Sequence, residues 1–191
     1  MDSGITRAGF VLVGGASSRM GRDKAHLPIG GGTLLERIAC AVSAAAGSVT
    51  LVGAPERYAG LGFLLLADTR QGAGPLAGIH TALSASAAAW NLIVACDMPG
   101  ISAPFLSSLL EAAQASEADC LLPSGPSGLL EPLCAVYHAR CAPAIAAALD
   151  RGVRKVTDGL AGLRIATLSV AESGWFRNVN TPEEWAQYTH E

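Results

Sequence analysis

Short apolar runs alternate with segments of helical periodicity along most of this 191-residue chain. An uninterrupted apolar run of strand length is typical of a strand that is buried on both faces. Strands joined by helical crossovers run parallel, and the helices then cover both faces of the sheet. The alternation therefore predicts an α/β fold, a three-layer, doubly wound, mainly parallel sheet of the Rossmann-like type, in a single domain that spans 1–191.

The strands and helices can be placed from composition and spacing. Predicted strands cover 8–13, 48–54, 62–68, 91–97, 119–124, 130–138 and 163–170. Predicted helices cover 33–46, a short stretch that ends near 86, a segment capped by Ser102, 139–152 and 181–188, whereas 153–163 is a short helix or loop. The turn at 125–128 is too short for a helical crossover, so a local antiparallel pair is predicted there.

Composition excludes several classes of protein. The formal net charge is -3, so nothing global attracts a nucleic acid. The five cysteines are odd in number and widely spaced in apolar surroundings, which predicts free, buried thiols in a reducing compartment. No apolar run reaches the length of about 18 residues that a membrane-spanning helix needs, and no secretory signal is evident at the N-terminus. We therefore expect a cytoplasmic protein without a membrane partner.

A cationic loop follows the first predicted strand. Gly14 and Gly15 lack Cβ atoms, so a ligand can approach the backbone there. Two serine hydroxyls follow directly, and then the cations Arg19 and Lys24. Amides, hydroxyls and cations together suit the oxygens of a phosphate group. The spacing matches neither a P-loop nor a GxGxxG dinucleotide fingerprint.

Two carboxylates also follow predicted strands, because Asp68 ends the run at 62–68 and Asp97 ends the run at 91–97. The carboxyl ends of parallel strands meet at one edge of a sheet, where ligands of open α/β proteins bind. The sequence therefore places the loop and both carboxylates along the same edge.

The loop resembles the signature of the molybdenum cofactor guanylyltransferases. The matching residues are Leu12, Val13, Gly14, Gly15, Arg19, Met20, Gly21, Asp23, Lys24 and Leu27. Further stretches that resemble the family lie at 68–83, 94–99, 131–138 and 176–185, in the family's order and over essentially the whole chain.

The resemblance implies roles for individual residues. The backbone around Leu12, Val13, Gly14 and Gly15 would contact a guanine nucleotide, Asp68 would help to hold the nucleoside, and Arg19 and Lys24 would meet its phosphates. Asp97 would ligate Mg²⁺ and act with Arg19 and Lys24 in catalysis. Asn178 and Asn180 would lie where the pterin enters, and Arg154 and Lys155 would meet the pterin phosphate.

The reaction implied is transfer of GMP from GTP to molybdenum-bound molybdopterin, with release of pyrophosphate. The resemblance also implies transient contacts with cofactor-delivery proteins or target molybdoenzymes. Two alternatives stay open: a cytidylyltransferase that uses CTP on the same pterin, and a non-catalytic nucleotide-binding relative. By the same resemblance, the second glycine of the loop favours guanine, and the retained Lys24 and Asp97 favour turnover.

Two positions depart from the family's pattern. Val13 replaces an alanine, which adds a little bulk to the glycine loop. Glu131 stands where many relatives carry glutamine, so it adds negative charge beside an anionic substrate. At 181–184, the Thr-Pro-Glu-Glu stretch is a capping box, which makes that motif at least partly structural.

Overall fold

A seven-stranded sheet with helices on both faces forms the centre of the molecule in this computed structural model, which describes residues 6–14, 23–171, 174–179 and 181–190. The strands are β1 Arg7–Leu12, β2 Pro28–Ile29, β3 Gly32–Thr33, β4 Thr50–Gly53, β5 Leu64–Ala67, β6 Trp90–Ala95, β7 Cys120–Ser124, β8 Cys134–His138 and β9 Ile165–Ser169. The helices are α1 Leu34–Ala46, α2 Pro55–Tyr58, α3 Pro75–Ala85, α4 Ala103–Ala115, α5 Ala142–Asp150, α6 Val156–Gly159 and α7 Pro182–His190. Short 3₁₀ turns lie at Lys24–His26, Ala59–Leu61, Ala139–Cys141 and Gly174–Phe176.

The strand order is β5-β4-β1-β6-β8-β7-β9, and β2 with β3 forms a separate small antiparallel hairpin. Strand β8 runs antiparallel to both neighbours, β6 and β7, and the other paired strands of the large sheet are parallel. The mainly parallel α/β architecture and the local antiparallel segment are confirmed. The sequence did not indicate that β8 would lie between β6 and β7.

Two apolar layers flank the sheet. One contains α1 and α4, where Leu34, Ile38 and Leu109 are at most 1% exposed, and Trp185 of α7 packs against this layer. The other contains α3, α5 and α6, with Leu76 and Ile145 fully buried. The apolar stripe of α4 lies in the first layer, as its helical spacing predicts.

Of the N-caps of α1, α4 and α7, two make side-chain capping bonds. Thr33 and Glu36 form a reciprocal capping box at the start of α1, and Gly47 ends that helix in the left-handed conformation with φ of 81°. Thr181 and Glu184 form the capping box predicted for α7. Ser102 occupies the N-cap position of α4, but its side chain makes no capping hydrogen bond.

The cysteine prediction was partly wrong. All five thiols are free, but only Cys120, Cys134 and Cys141 are buried, whereas Cys40 is exposed and Cys96 is intermediate. Cys40 lies on the outer side of α1, where the helical period turns it away from the sheet. None of the helices in the described part of the chain is long and apolar enough to cross a membrane.

Candidate active site

A cavity of about 560 Å³ opens at the carboxyl ends of β1, β4 and β6. The chain leaves β1 for β4 and β5 on one side and returns to β6 on the other, so the strand order reverses beside β1. Such switch points are the usual ligand crevices of open α/β sheets. The lining residues are Leu12, Val13, Gly14, Asp23, Lys24, Val52, Gly53, Asp68, Gly72, Gly74, Pro75, Gly78, Ala95, Cys96, Asp97 and Leu133.

The backbone after β1 forms the floor of this cavity. The Val13 amide donates to the carbonyl oxygen of Val52 at 2.8 Å, and the Cys96 amide donates to the carbonyl oxygen of Leu12 at 3.2 Å. Gly14 then turns with φ of 88°, a conformation that favours glycine. A Cβ atom at Gly53 would collide with the carbonyl oxygen of Val13, so this second glycine lets β1 and β4 approach closely.

Asp23 and Lys24 return to the cavity after the part of the loop that lies outside the described residues. The Asp23 carboxylate accepts hydrogen bonds from the Tyr58 hydroxyl and from Arg57 Nη2, both at 2.7 Å. Its other oxygen accepts from the Ala25 amide at 3.2 Å and so caps the turn Lys24–His26. Lys24 therefore starts from a backbone that is anchored at the cavity wall.

Asp97 follows β6 and faces the same space. Its Oδ1 atom is buried and accepts no hydrogen bond from the described residues. Burial raises the pKa of Asp97 above its usual value, while the positive charge of Lys24 lowers it. The Asp97 carbonyl oxygen accepts from the Val179 amide at 3.0 Å, which ties this loop to the segment that contains Asn178.

Asp68 lines the cavity and also stabilises the loop that follows β5. Its Oδ1 atom accepts from the Arg70 amide at 3.0 Å and from the Thr81 hydroxyl at 3.2 Å. Arg70 in turn pairs with Asp150 of α5 at 2.6 Å. These bonds fix the loop that carries Gly72 and Gly74 along the cavity wall.

Of the residues predicted to bind the pterin, the three that the structure describes, Arg154, Lys155 and Asn178, do not line the cavity. The carbonyl oxygen of Arg154 approaches Gly74, but the Arg154 guanidinium donates to the carbonyls of Leu149 and Val153. Lys155 is exposed and lies 3.6 Å from the Asp158 carboxylate. Asn178 is exposed beside Val179. Their assignment to the pterin remains a prediction.

Three of the predicted site residues, Gly15, Arg19 and Asn180, lie outside the described residues. Among the described residues, those predicted to contact the nucleotide all line one cavity: Leu12, Val13, Gly14, Lys24, Asp68 and Asp97. What these residues bind stays a prediction.

Sequence reasoning missed Arg57 and Tyr58, which hold Asp23, and Thr81, which holds Asp68. Arg57 and Tyr58 contact a segment distant in sequence and stand in no recognisable motif. Thr81 lies within the family-like stretch 68–83, but nothing in that stretch indicates its bond to Asp68. The nearest signal was the position of Asp23 inside the loop signature.

The negative charge of Asp97 affects the pKa of Glu131. Strand β8 pairs with β6 through Val94 and Cys134, and the Ala95 amide donates to the carbonyl oxygen of Leu133 at 2.7 Å. This pairing places the turn that contains Glu131 beside the end of β6. Burial raises the pKa of Glu131, and the Asp97 carboxylate raises it further.

The described side chains would supply only some of the ligands that a magnesium ion needs. The described residues contain no group of three or more His, Cys, Asp or Glu that could hold a metal ion. Mg²⁺ commonly binds one or two carboxylates and completes its coordination with water and substrate phosphates. Asp97, with a buried oxygen that the described residues leave unbonded, fits that pattern.

Comparison with known proteins identifies relatives along nearly the whole chain. Residues 9–165 match the family described as the MobA-like NTP transferase domain. A molybdenum cofactor guanylyltransferase of Xanthomonas euvesicatoria pv. vesicatoria is 36% identical over 188 residues, which cover 96% of this chain and 94% of the relative. A probable molybdenum cofactor guanylyltransferase of Pelotomaculum thermopropionicum is 35% identical over 189 residues, covering 94% and 90% respectively.

A solved structure has the same fold. The crystal structure of molybdopterin-guanine dinucleotide biosynthesis protein A from Archaeoglobus fulgidus superposes with a TM-score of 0.81 at 27% identity, and the match covers 94% of this chain and 95% of that chain. The family match over residues 9–165 and the relatives at 35% and 36% identity over nearly the whole chain show that this chain belongs to the MobA-like NTP transferase family.

Proposed function

We propose that the protein transfers GMP from GTP to the terminal phosphate of molybdenum-bound molybdopterin and releases pyrophosphate. One observation carries the proposal: Lys24 and Asp97, of opposite charge, line the same cavity as the Gly14 backbone at the switch point of the sheet. The named guanylyltransferases at 35% and 36% identity support the choice of GTP and pterin as substrates.

The chemistry requires charge stabilisation more than proton transfer. An anionic phosphate oxygen of the pterin attacks the α-phosphorus of GTP, and the bond between the α-phosphorus and its bridging oxygen to the β-phosphate breaks. The nucleophile is already ionised, so no general base is needed. Lys24 neutralises phosphate charge, and the backbone beside Gly14 lets the nucleotide approach the strand ends.

We also propose that Asp97 is the protein ligand of Mg²⁺. The support is the buried Oδ1 atom, which the described residues leave without a hydrogen bond, beside the positive charge of Lys24. When bound, the ion would supply positive charge that offsets the repulsion between two polyanionic substrates. Arg19 would add positive charge at the phosphates. The product would pass to cofactor-delivery proteins or target molybdoenzymes.

Pyrophosphate release tests the proposal. Purified wild-type protein is mixed with GTP, Mg²⁺ and molybdenum-bound molybdopterin, and the same assay is run with CTP. Lys24→Ala and Asp97→Ala should each lower turnover by about a hundredfold or more. Glu111→Ala, an exposed carboxylate of α4, is the matched control and should retain turnover.

The substrate arms separate the alternatives. Faster release from CTP than from GTP would identify a cytidylyltransferase. No release from either nucleotide, despite tight nucleotide binding, would identify a non-catalytic relative. Near-normal turnover of folded Lys24→Ala or Asp97→Ala would contradict the assigned roles.

A further inference from the structure

Three side chains form a compact cluster at the wall of the cavity, which we call the Asp23 clamp: Asp23, Arg57 and Tyr58. Arg57 Nη2 and the Tyr58 hydroxyl both donate to Asp23 Oδ2, each at 2.7 Å. Asp23 Oδ1 accepts from the Ala25 amide at 3.2 Å. Both oxygens of this carboxylate are therefore engaged within the protein.

The clamp joins two distant parts of the chain. Helix α2 follows β4, whose last residue, Gly53, lines the cavity, and α2 presents Arg57 and Tyr58 to Asp23. Tyr58 is 1% exposed and packs in the core, so its hydroxyl has a fixed position. Burial and the neighbouring Asp23 raise the pKa of Tyr58, so the hydroxyl stays protonated and donates.

Lys24 lies between this clamp and a second anchor. The Leu27 amide donates to the carbonyl oxygen of Lys24 at 3.0 Å, and Leu27 is 1% exposed. The Leu34 amide then donates to the carbonyl oxygen of Leu27 at 2.8 Å, which ties the turn to α1. The backbone of Lys24 is thus fixed on its N-terminal side by Asp23 and on its C-terminal side by the core.

Asp23 differs from Asp97, although both carboxylates line the cavity. Asp97 Oδ1 is buried without a hydrogen bond from the described residues, whereas Asp23 has donors on both oxygens. A carboxylate that already accepts from a guanidinium, a hydroxyl and an amide is a poor candidate for a metal ligand. Its bonds instead hold a backbone in place.

We propose that Asp23, held by Arg57 and Tyr58, is a positioning residue that directs the Lys24 ammonium group to the nucleotide phosphates. The inference rests on the proposed function, since it takes the cavity to bind a nucleotide triphosphate. It adds roles for three residues whose bonds act on the backbone that carries Lys24. Preorganisation of a cation in this way lowers the reorganisation needed when the phosphates arrive.

A double-mutant cycle tests this directly. The dissociation constant of Mg-GTP is measured by calorimetry for wild type, Asp23→Asn, Tyr58→Phe and Lys24→Met, and for each clamp variant combined with Lys24→Met. Asp23→Asn should weaken binding about tenfold when Lys24 is present and less than about twofold when Lys24 is absent, because the effect passes through Lys24. Tyr58→Phe removes one hydroxyl, folds with little perturbation and should show the same pattern with a smaller loss.

The matched control is Asp119→Asn. Asp119 is also a carboxylate bonded by arginines, Arg140 and Arg164, but it lies at the amino end of β7, away from the cavity. Its substitution should lower the melting temperature and leave the GTP dissociation constant unchanged. A clamp effect that merely reflects lower stability would appear in this control too.

The outcomes separate the two proposals. Equal losses with and without Lys24, or no loss when Asp23 and Tyr58 are changed, would overturn the positioning role while leaving the proposed function intact. Failure of wild-type protein to bind GTP, or unchanged binding by Lys24→Met, would instead overturn the proposed function.

Discussion

At the scale of single residues, Asp97 occupies an unfavourable place for a carboxylate. Its Oδ1 atom is buried without a hydrogen bond from the described residues, and burial raises its pKa. Above that pKa, an ionised group of this kind destabilises the folded state. We therefore predict that Asp97→Asn, measured with Mg²⁺ chelated and no nucleotide, raises the melting temperature by about 2–4 °C at pH 7.

The pH dependence of that gain follows from the direction of the shift. Since the folded-state pKa is raised, protonation relieves the penalty as the pH falls through it, and no penalty remains below the ordinary pKa of aspartate. The stabilisation should therefore be full near pH 7 and should disappear toward about pH 4. Thermal unfolding of both proteins across this range measures it, and a gain that stays constant down to low pH would contradict the explanation.

Glu131 gives a second prediction at this scale. Burial raises the pKa of Glu131, and the negative charge of Asp97 raises it further. Glu131→Gln removes one negative charge from the region where a polyanion is proposed to bind, so the GTP dissociation constant should fall by a factor of about two to five. Glu111→Gln on the exposed side of α4 should leave it unchanged. Weaker binding by Glu131→Gln would indicate instead that this carboxylate helps to hold the metal.

At the scale of secondary-structure elements, the two N-caps offer a matched pair. The Thr33 hydroxyl accepts from the Glu36 amide at 3.2 Å and the Glu36 carboxylate accepts from the Thr33 amide at 2.7 Å, whereas Ser102 makes no side-chain capping bond. Thr33→Ala should lower the free energy of unfolding by about 1 kcal/mol, and Ser102→Ala should change it by less than about 0.5 kcal/mol. Urea unfolding of the two variants beside wild type measures both values, and equal losses would contradict the capping argument.

Only some of the helices and strands can be predicted from the sequence alone. Periodicity places α1 and α4 and the central strands, because burial on a sheet imposes a pattern that covers many residues. The strand predicted at 130–138 is shorter, Cys134–His138, since the Cys134 amide bonds the carbonyl oxygen of Glu131 and closes a turn there. Helix α2 has four residues, too few for a periodic signal, so its contacts with Asp23 could not be foreseen.

The candidate site divides in the same way. Lys24, Asp68 and Asp97 can be placed at one sheet edge from sequence, because each follows a recognisable strand or stands in a local signature. The supporting side chains Arg57 and Tyr58 depend on contacts between distant segments. Such contacts arise from tertiary packing and leave no local pattern.

At the scale of the whole molecule, the two ends of the sheet differ in character. The carboxyl end contains the cavity, glycines with positive φ and the buried Asp97 oxygen. At the amino end, Asp119 accepts from Arg140 at 2.6 Å and from Arg164 at 3.0 Å, and these bonds hold its pKa well below the usual range. The Asp119 carboxylate at the amino end is therefore satisfied within the protein, whereas Asp97 at the carboxyl end retains an oxygen that a ligand would satisfy.

This division predicts how nucleotide binding changes global stability. The cavity is lined from β1, β4 and β6 in the centre of the sheet, so a bound nucleotide should stabilise the cooperative unit as a whole. With Mg²⁺ and GTP at about 100 times the dissociation constant, the gain should be about 2.7 kcal/mol, or about 5–11 °C in melting temperature.

Thermal unfolding with GTP and with CTP at equal concentration measures this gain, and the CTP shift should be smaller because GTP is the proposed substrate. Lys24→Met should lose most of the GTP shift. Asp119→Asn should start from a lower melting temperature and keep the full shift, because its ion pairs lie at the other end of the sheet from the bound phosphates. A CTP shift equal to or larger than the GTP shift would contradict the assigned nucleotide, and an undiminished shift in Lys24→Met would place the phosphates elsewhere than at the end of β1.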